Sequence, residues 1–218
     1  MTEGHDAELD ETLAGIAGRL REERTKAGIS QRELARRLGL SPSMISQLES
    51  GLTKPSVGTL YAIVTELDLS LDRLIRGEEY LDGERTYPAA EEVMPLVVHP
   101  GERQSIDLAS GVTWEELTAT SEDDVDFLKA IYEVGGASTP DGSLMRHHGR
   151  EYGYVMSGTL GIQIGFQEYE LTSGDSIAFD STRPHRLFNK GGEPVHAIWF
   201  VAGRDADGRA SGHAAGLT

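Results

Sequence analysis

Two periodicities divide this chain. From Thr12 to about Arg76 the apolar residues recur at three- and four-residue spacing: Leu13, Ile16 and Leu20, then Leu34 and Leu38, Ile45 and Leu48, and finally Leu60, Ile63, Val64 and Leu67. That spacing predicts about five short amphipathic helices. After Gly77 the pattern changes to short runs rich in Val, Ile, Tyr, Phe and Thr, bounded by Gly, Asp and Pro. These predict strands over Leu96–His99, Val112–Thr118, Val125–Val134, Tyr152–Met156, Leu160–Phe166, Ser176–Phe179, His185–Phe188 and Val195–Val201. The expected architecture is an all-α domain followed by an all-β sandwich or barrel. The boundaries follow from composition: an acidic, disordered N-terminus (1–12), a helical domain (13–76), a linker with Asp, Glu, Gly and Pro (77–94), a β domain (95–202), and a tail (203–218) too poor in apolar residues to order itself.

Composition narrows the class. Among 218 residues, 38% are hydrophobic and 26% charged, as in ordinary globular proteins, and no stretch approaches the roughly 18 apolar residues of a membrane helix. The N-terminal MTEGHDAELDET is acidic where a secretory leader would be basic and then apolar, so a cytoplasmic protein is expected. The absence of cysteine excludes disulfides, thiolate zinc sites and cysteine nucleophiles.

A net charge of −16 would by itself argue against nucleic acid as a partner. Its distribution reverses that inference. Residues 78–218 hold 24 acidic and 10 basic residues, whereas Arg19 to Leu60 holds 8 basic against 4 acidic. A mildly basic module is joined to a strongly acidic one, which suggests two domains with different tasks.

Within the basic window, Ser30-Gln-Arg-Glu33 reads as a capping box, with Ser30 accepting from the backbone three residues on and Glu33 reaching back. A helix therefore starts at Gln31 and ends near Leu38, where Gly39 supplies a tight turn. Ser41-Pro42 opens the next helix with an N-cap and a first-turn proline. The stretch SQRELARRLGLSPSMISQLESGLTKPSVGTLYAIVTELDLSLDRLI strongly resembles the helix-turn-helix of the phage-repressor-like (xenobiotic-response-element) regulators, over roughly residues 13–76. The resemblance implies that the second helix enters the major groove and presents Ser41, Ser43, Met44, Ser46 and Gln47 to the DNA. Gln47 would pair with adenine, Met44 would touch a thymine methyl, and Gln31 and Lys54 would hold phosphates. Pro42 stands where such proteins often have a polar residue.

In the β domain, Met145-Arg-His147-His148-Gly-Arg-Glu151 is followed by Gly158, and Gly174-Asp175 by Asp180, Thr182, His185 and Asn189. Residues of equal parity on a strand share a face, which groups Met145 with His147, and His185 with Leu187 and Asn189. The two segments resemble the paired motifs of cupins, double-stranded β-helix (jelly-roll) barrels, with Asp180 and Thr182 replacing the usual proline and glycine. The resemblance implies metal-ligand positions at Met145, His147, Glu151 and His185. With methionine at the first, two histidines and one carboxylate remain, a set suited either to Fe, Mn or Zn or to a hydrogen-bonded ligand pocket without metal. Met145 reads as an apolar pocket wall together with Asn189.

Helix-turn-helix followed by cupin resembles bacterial regulators in which the cupin senses a small-molecule effector and modulates operator binding. The resemblance implies no catalytic residue, a double-stranded, pseudo-palindromic operator, a homodimer with recognition helices about 34 Å apart, and no membrane partner. The same domain order is similar to that of epoxidases of phosphonate antibiotic pathways. In such a non-heme Fe(II) oxygenase His147, Glu151 and His185 would hold iron and the helical domain would serve assembly. The Ser/Gln-rich helix and the basic window favour the regulator.

Overall fold

The computed structural model describes residues 3–69, 71–76, 96–119 and 125–203. Among the described residues five α-helices, α1 (Glu3–Lys26), α2 (Gln31–Leu38), α3 (Pro42–Glu49), α4 (Val57–Glu66) and α5 (Leu71–Arg76), precede nine strands. Helix α1 begins inside the N-terminal stretch expected to be disordered. Acidic residues at the positive end of a helix are favourable, so the acidity that reads as disorder also suits a helix start. The expected linker at 77–94 lies outside the described residues, as does the expected tail beyond Gly203.

The helical unit is assembled by caps and one apolar core. Ser30, Ser41 and Ser56 each accept a backbone N–H three residues on, and Gly39 closes α2 in the left-handed conformation. Leu34, Ile45, Leu60, Ile63, Leu71 and Leu74 are all essentially inaccessible and pack together. Glu33 departs from the expected capping box: its carboxylate takes Arg36 and Arg37 rather than the Ser30 backbone. Hydrogen bonds from these two guanidiniums pull its carboxyl down to about 2. Arg24 of α1 forks onto Glu49 at the end of α3 and also donates to the Ile29 carbonyl at 2.6 Å, while Gln31 donates to the same carboxylate at 2.7 Å. Three helices therefore meet on one buried carboxylate, which fixes α3 relative to α1 and α2.

The strands β1 (Ser105–Leu108), β2 (Val112–Glu116), β3 (Val125–Tyr132), β4 (Arg150–Ser157), β5 (Leu160–Ile164), β6 (Gln167–Leu171), β7 (Ser176–Asp180), β8 (His185–Asn189) and β9 (Val195–Ala202) form two antiparallel sheets. One has the order β1-β2-β3-β9-β4-β7 and the other β6-β5-β8. The expected β domain thus takes the form of a two-sheet sandwich. The segment between β3 and β4 runs beside β8 through bridges at Ala137–Phe188 and Met145–His185. Strand β9 lies between β3 and β4 and alternates strictly, with Val195, Ala197, Trp199 and Val201 buried.

Three sequence expectations are corrected. Leu96–His99 is not a strand and leads into a single 3-10 turn, Pro100–Glu102; Leu96 is 90% exposed and pairs with no strand among the described residues. Leu160–Phe166 ends at Ile164, because Gly165-Phe166 forms the turn to β6. Strands β1 and β6 were not anticipated, since β6 buries only Leu171 and carries no alternating apolar signal.

Candidate functional site

The first candidate surface is the exposed face of α3. Ser41, Ser43, Met44, Ser46 and Gln47 are all exposed, while Ile45, Leu48 and Glu49 face inward. Ser41 accepts from Met44 N at 3.1 Å, so its oxygen caps the helix and its hydroxyl proton remains to donate outward. The other two expected DNA-contacting residues already have partners. Gln31 is bonded to Glu49, and Lys54 lies 3.3 Å from Asp107 of β1. Asp107 is an acid of the second domain, so phosphate contact by Lys54 competes with an interdomain ion pair.

The second candidate lies inside the sandwich. His147 sits just before β4, its N–H bonded to the Ser181 carbonyl at 3.1 Å; Glu151 is on β4 and His185 opens β8. All three are buried, at 5%, 2% and 0% exposure. Both imidazole Nε2 atoms address one carboxylate oxygen, Glu151 Oε1, at 2.9 Å from His147 and 3.0 Å from His185. The outer atoms are engaged elsewhere. His147 Nδ1 faces the His148 carbonyl at 3.0 Å, His185 Nδ1 faces the Arg183 carbonyl at 2.8 Å, and Trp199 Nε1 donates to Glu151 Oε2 at 2.7 Å.

A ring nitrogen next to a carbonyl must carry the proton, so in each neutral imidazole the lone pair is left on Nε2. Two nitrogen lone pairs and a carboxylate oxygen then converge with no hydrogen-bond partner satisfied at any of the three. Such an arrangement is costly without a proton or a metal cation between the atoms. The outer bonds are those that orient imidazole and carboxylate ligands in metal centres. The residues present therefore fit a divalent metal, and the three ligand atoms lie within 4.8 Å of one another. In the metal-free protein, burial by itself would raise the Glu151 carboxyl. The two imidazoles outweigh it and hold that carboxyl well below the usual range. His185 is likewise opposed by burial, yet the Glu151 carboxylate raises it.

The two expected pocket walls differ in role. Met145 is buried and exchanges both backbone hydrogen bonds with His185, which sets the position of that histidine. Asn189 commits its amide to backbone, donating to the Tyr132 and Glu193 carbonyls and accepting from Gly191 N, so it clamps a turn. The unexpected turn residues also have an explanation: Asp180 Oδ1 accepts from Thr182 N and Oγ1 at 2.9 and 2.6 Å, a side-chain-closed turn in place of the proline and glycine.

Three neighbours of the centre escaped the sequence reading: Trp199, Phe179 and Tyr61. Phe179 packs edge-on against His185 at 5.1 Å, and Tyr61 of α4 stacks on His147. Only Trp199 carried a signal, since its parity with Val195, Ala197 and Val201 turns it inward, where an indole N–H needs an acceptor. Trp199 stands opposite Gly153 of β4, and a Cβ at Gly153 would lie 2.0 Å from its Cζ3. Gly153→Ala should therefore displace the indole, destabilise the protein by about 1–3 kcal/mol, and weaken metal binding about tenfold through Glu151. Urea denaturation and a Co(II) titration read the two effects, and a variant matching the parent in both would remove Trp199 as the support of Glu151.

Comparison with known proteins agrees with this division. Residues 20–74 match a helix-turn-helix family model and residues 129–201 a cupin domain model. The HTH-type transcriptional regulator PuuR of Escherichia coli (strain K12) is 28% identical over 180 residues, covering 83% of this chain and 90% of that protein. A crystal structure of an HTH_3 family transcriptional regulator from Vibrio cholerae superposes with TM-score 0.62 at 21% identity, covering 88% of this chain and 97% of that one. Hydroxypropylphosphonic acid epoxidase from S. wedmorenis superposes with TM-score 0.42 at 20% identity, covering 88% and 98% of the two chains.

Proposed function

We propose, on the premise that this chain joins a helix-turn-helix domain to a cupin domain as transcriptional regulators do, that it is a DNA-binding regulator whose cupin domain senses a small molecule at a metal held by His147, Glu151 and His185. One observation carries the metal reading: the three converging atoms have every outer bond made and every inner one open. A divalent metal with three protein ligands supplies a Lewis-acidic centre with positions left for an oxygen- or nitrogen-bearing effector. This chain's residues bind the ion, fix its orientation through the two carbonyls and Trp199, and exclude water by burial.

The DNA half of the reading rests on the polar face of α3, which stands clear of the cupin domain. An eight-residue recognition helix makes few contacts, so two copies would place a pair of them in successive major grooves of a pseudo-palindrome. A cytoplasmic location suits such a protein, and no helix among the described residues is long and apolar enough to cross a membrane.

The test is binding of purified protein to a duplex from its own upstream region, across a salt series and against an unrelated duplex. Specific, salt-sensitive binding is expected. Gln47→Ala should cost about 1–3 kcal/mol of discrimination between the two duplexes, and equal discrimination by variant and parent would remove α3 as the reading helix. A second reading, an Fe(II) oxygenase, is favoured by the same two-His-one-carboxylate set. Oxygen consumption by the iron-loaded protein, together with indifference to DNA at low salt, would establish that reading instead.

A further inference from the structure

Helix α4 belongs to the DNA-binding unit, yet it closes the side of the metal centre. Its N-terminal turn is docked on the segment that carries His147: Gly58 N donates to the Ser138 carbonyl at 3.1 Å. A Cβ at Gly58 would lie 2.8 Å from Thr139 Cγ2 and 3.5 Å from Met145 Cβ, so the approach is as close as a glycine permits. One turn further on, the Tyr61 ring lies 4.0 Å from the His147 ring at an interplanar angle of 10°, a full face-to-face stack. The tyrosine is held on its other sides by Trp114, edge-on at 5.7 Å, and by Asp126, whose Oδ2 lies 3.5 Å from its hydroxyl. It is 4% exposed.

The His147 plane is therefore fixed by one local hydrogen bond and by a ring from the other domain. That plane decides where Nε2 points. Leu60, Ile63 and Val64 of the same helix sit in the core with Leu34 and Ile45 of α2 and α3, and Glu66 pairs with Arg37 of α2 at 2.8 Å. A shift of α4 thus moves with the recognition unit and with the His147 ring together. A cation at Nε2 draws electron density from the imidazole, which strengthens its attraction to the tyrosine face.

We infer that Tyr61 is a positioning residue of the cupin metal centre, through which metal occupancy and DNA binding are coupled. This rests on the metal and DNA reading above. The coupling is reciprocal: whatever factor the metal imposes on DNA affinity, DNA imposes on metal affinity.

The experiment titrates the full-length protein with Co(II), followed by its d–d absorption, with and without saturating duplex from the protein's own upstream region. In the parent, DNA changes the Co(II) affinity by about fivefold or more. In Tyr61→Leu the DNA-free affinity falls about tenfold and the DNA-dependent factor drops to near one. Tyr61→Phe keeps the ring and keeps the factor. Gly58→Ala, which pushes the N-terminal turn of α4 against Thr139 while keeping the tyrosine side chain, lowers the factor and stands in if Tyr61→Leu does not fold. A Tyr61→Leu protein with the parent's DNA-dependent factor, or a Tyr61→Phe protein without it, overturns the coupling alone. A parent that binds no Co(II), or no DNA, overturns the regulator reading and the coupling with it.

Discussion

Glu49→Ala should cost the protein about 3–5 kcal/mol of stability, more than any surface substitution on the recognition helix. The Glu49 side chain is 2% exposed and that of Arg24 11%, so removing the carboxylate strands a guanidinium in a site from which water is largely excluded. Gln31 loses its acceptor in the same stroke. Because Glu49 ends α3 and Arg24 lies on α1, the damage falls on the relative placement of the recognition helix, and DNA binding should fail together with folding. Urea denaturation followed by circular dichroism measures the change as a lowered midpoint at unchanged slope. The double variant Arg24→Met with Glu49→Leu should recover most of the loss, since apolar replacements of similar volume remove the stranded charge. A single variant within about 1 kcal/mol of the parent would mean the pair is solvated, contrary to its burial.

Glu151→Ala should lower metal affinity by at least about a hundredfold, the upper range even for outer-shell changes. It removes the only anion among the three ligand atoms and also deprives the buried Trp199 N–H of its acceptor. Calorimetric titration with Co(II) or Zn(II) gives the affinity, and tryptophan fluorescence of the metal-free variant reports the indole. Acidity should act in the same direction as the substitution. Glu151 raises the His185 imidazole, so protons displace a metal from His185 at a higher pH than they would from an isolated histidine, and affinity should fall as pH drops through that raised value. Glu151→Gln keeps an acceptor for Trp199 and isolates the charge. If it binds metal as the parent does, the trio is a hydrogen-bonded core cluster and nothing more.

How much of this was written in the sequence depends on the range of the forces involved. The caps at Ser30 and Ser41 and the turn at Gly39 are settled within four residues, and the local pattern suffices to read them. The grouping of His147, Glu151 and His185 needed more, namely strand parity and a resemblance to paired motifs. Glu33 shows where locality misleads. Its position says capping box, yet two arginines one turn along outcompete a single backbone N–H. Leu96 and Val97 show the opposite error: an apolar run reads as a strand, but at 90% and 65% exposure neither pairs with a strand among the described residues. Asn189 has the right parity for a pocket and is claimed by three backbone groups, two in its own turn and one at the end of β3. Tyr61 could not have been assigned at all, because nothing in an amphipathic helix says that one of its buried rings lies on a histidine of the next domain.

The place of β9 in the larger sheet has a consequence for how the protein comes into being. It is the last strand among the described residues and yet pairs with both β3 and β4, filling the middle of its sheet. In synthesis it follows every other described strand, so β3 and β4 lack the strand between them, and Glu151 lacks Trp199, until β9 emerges.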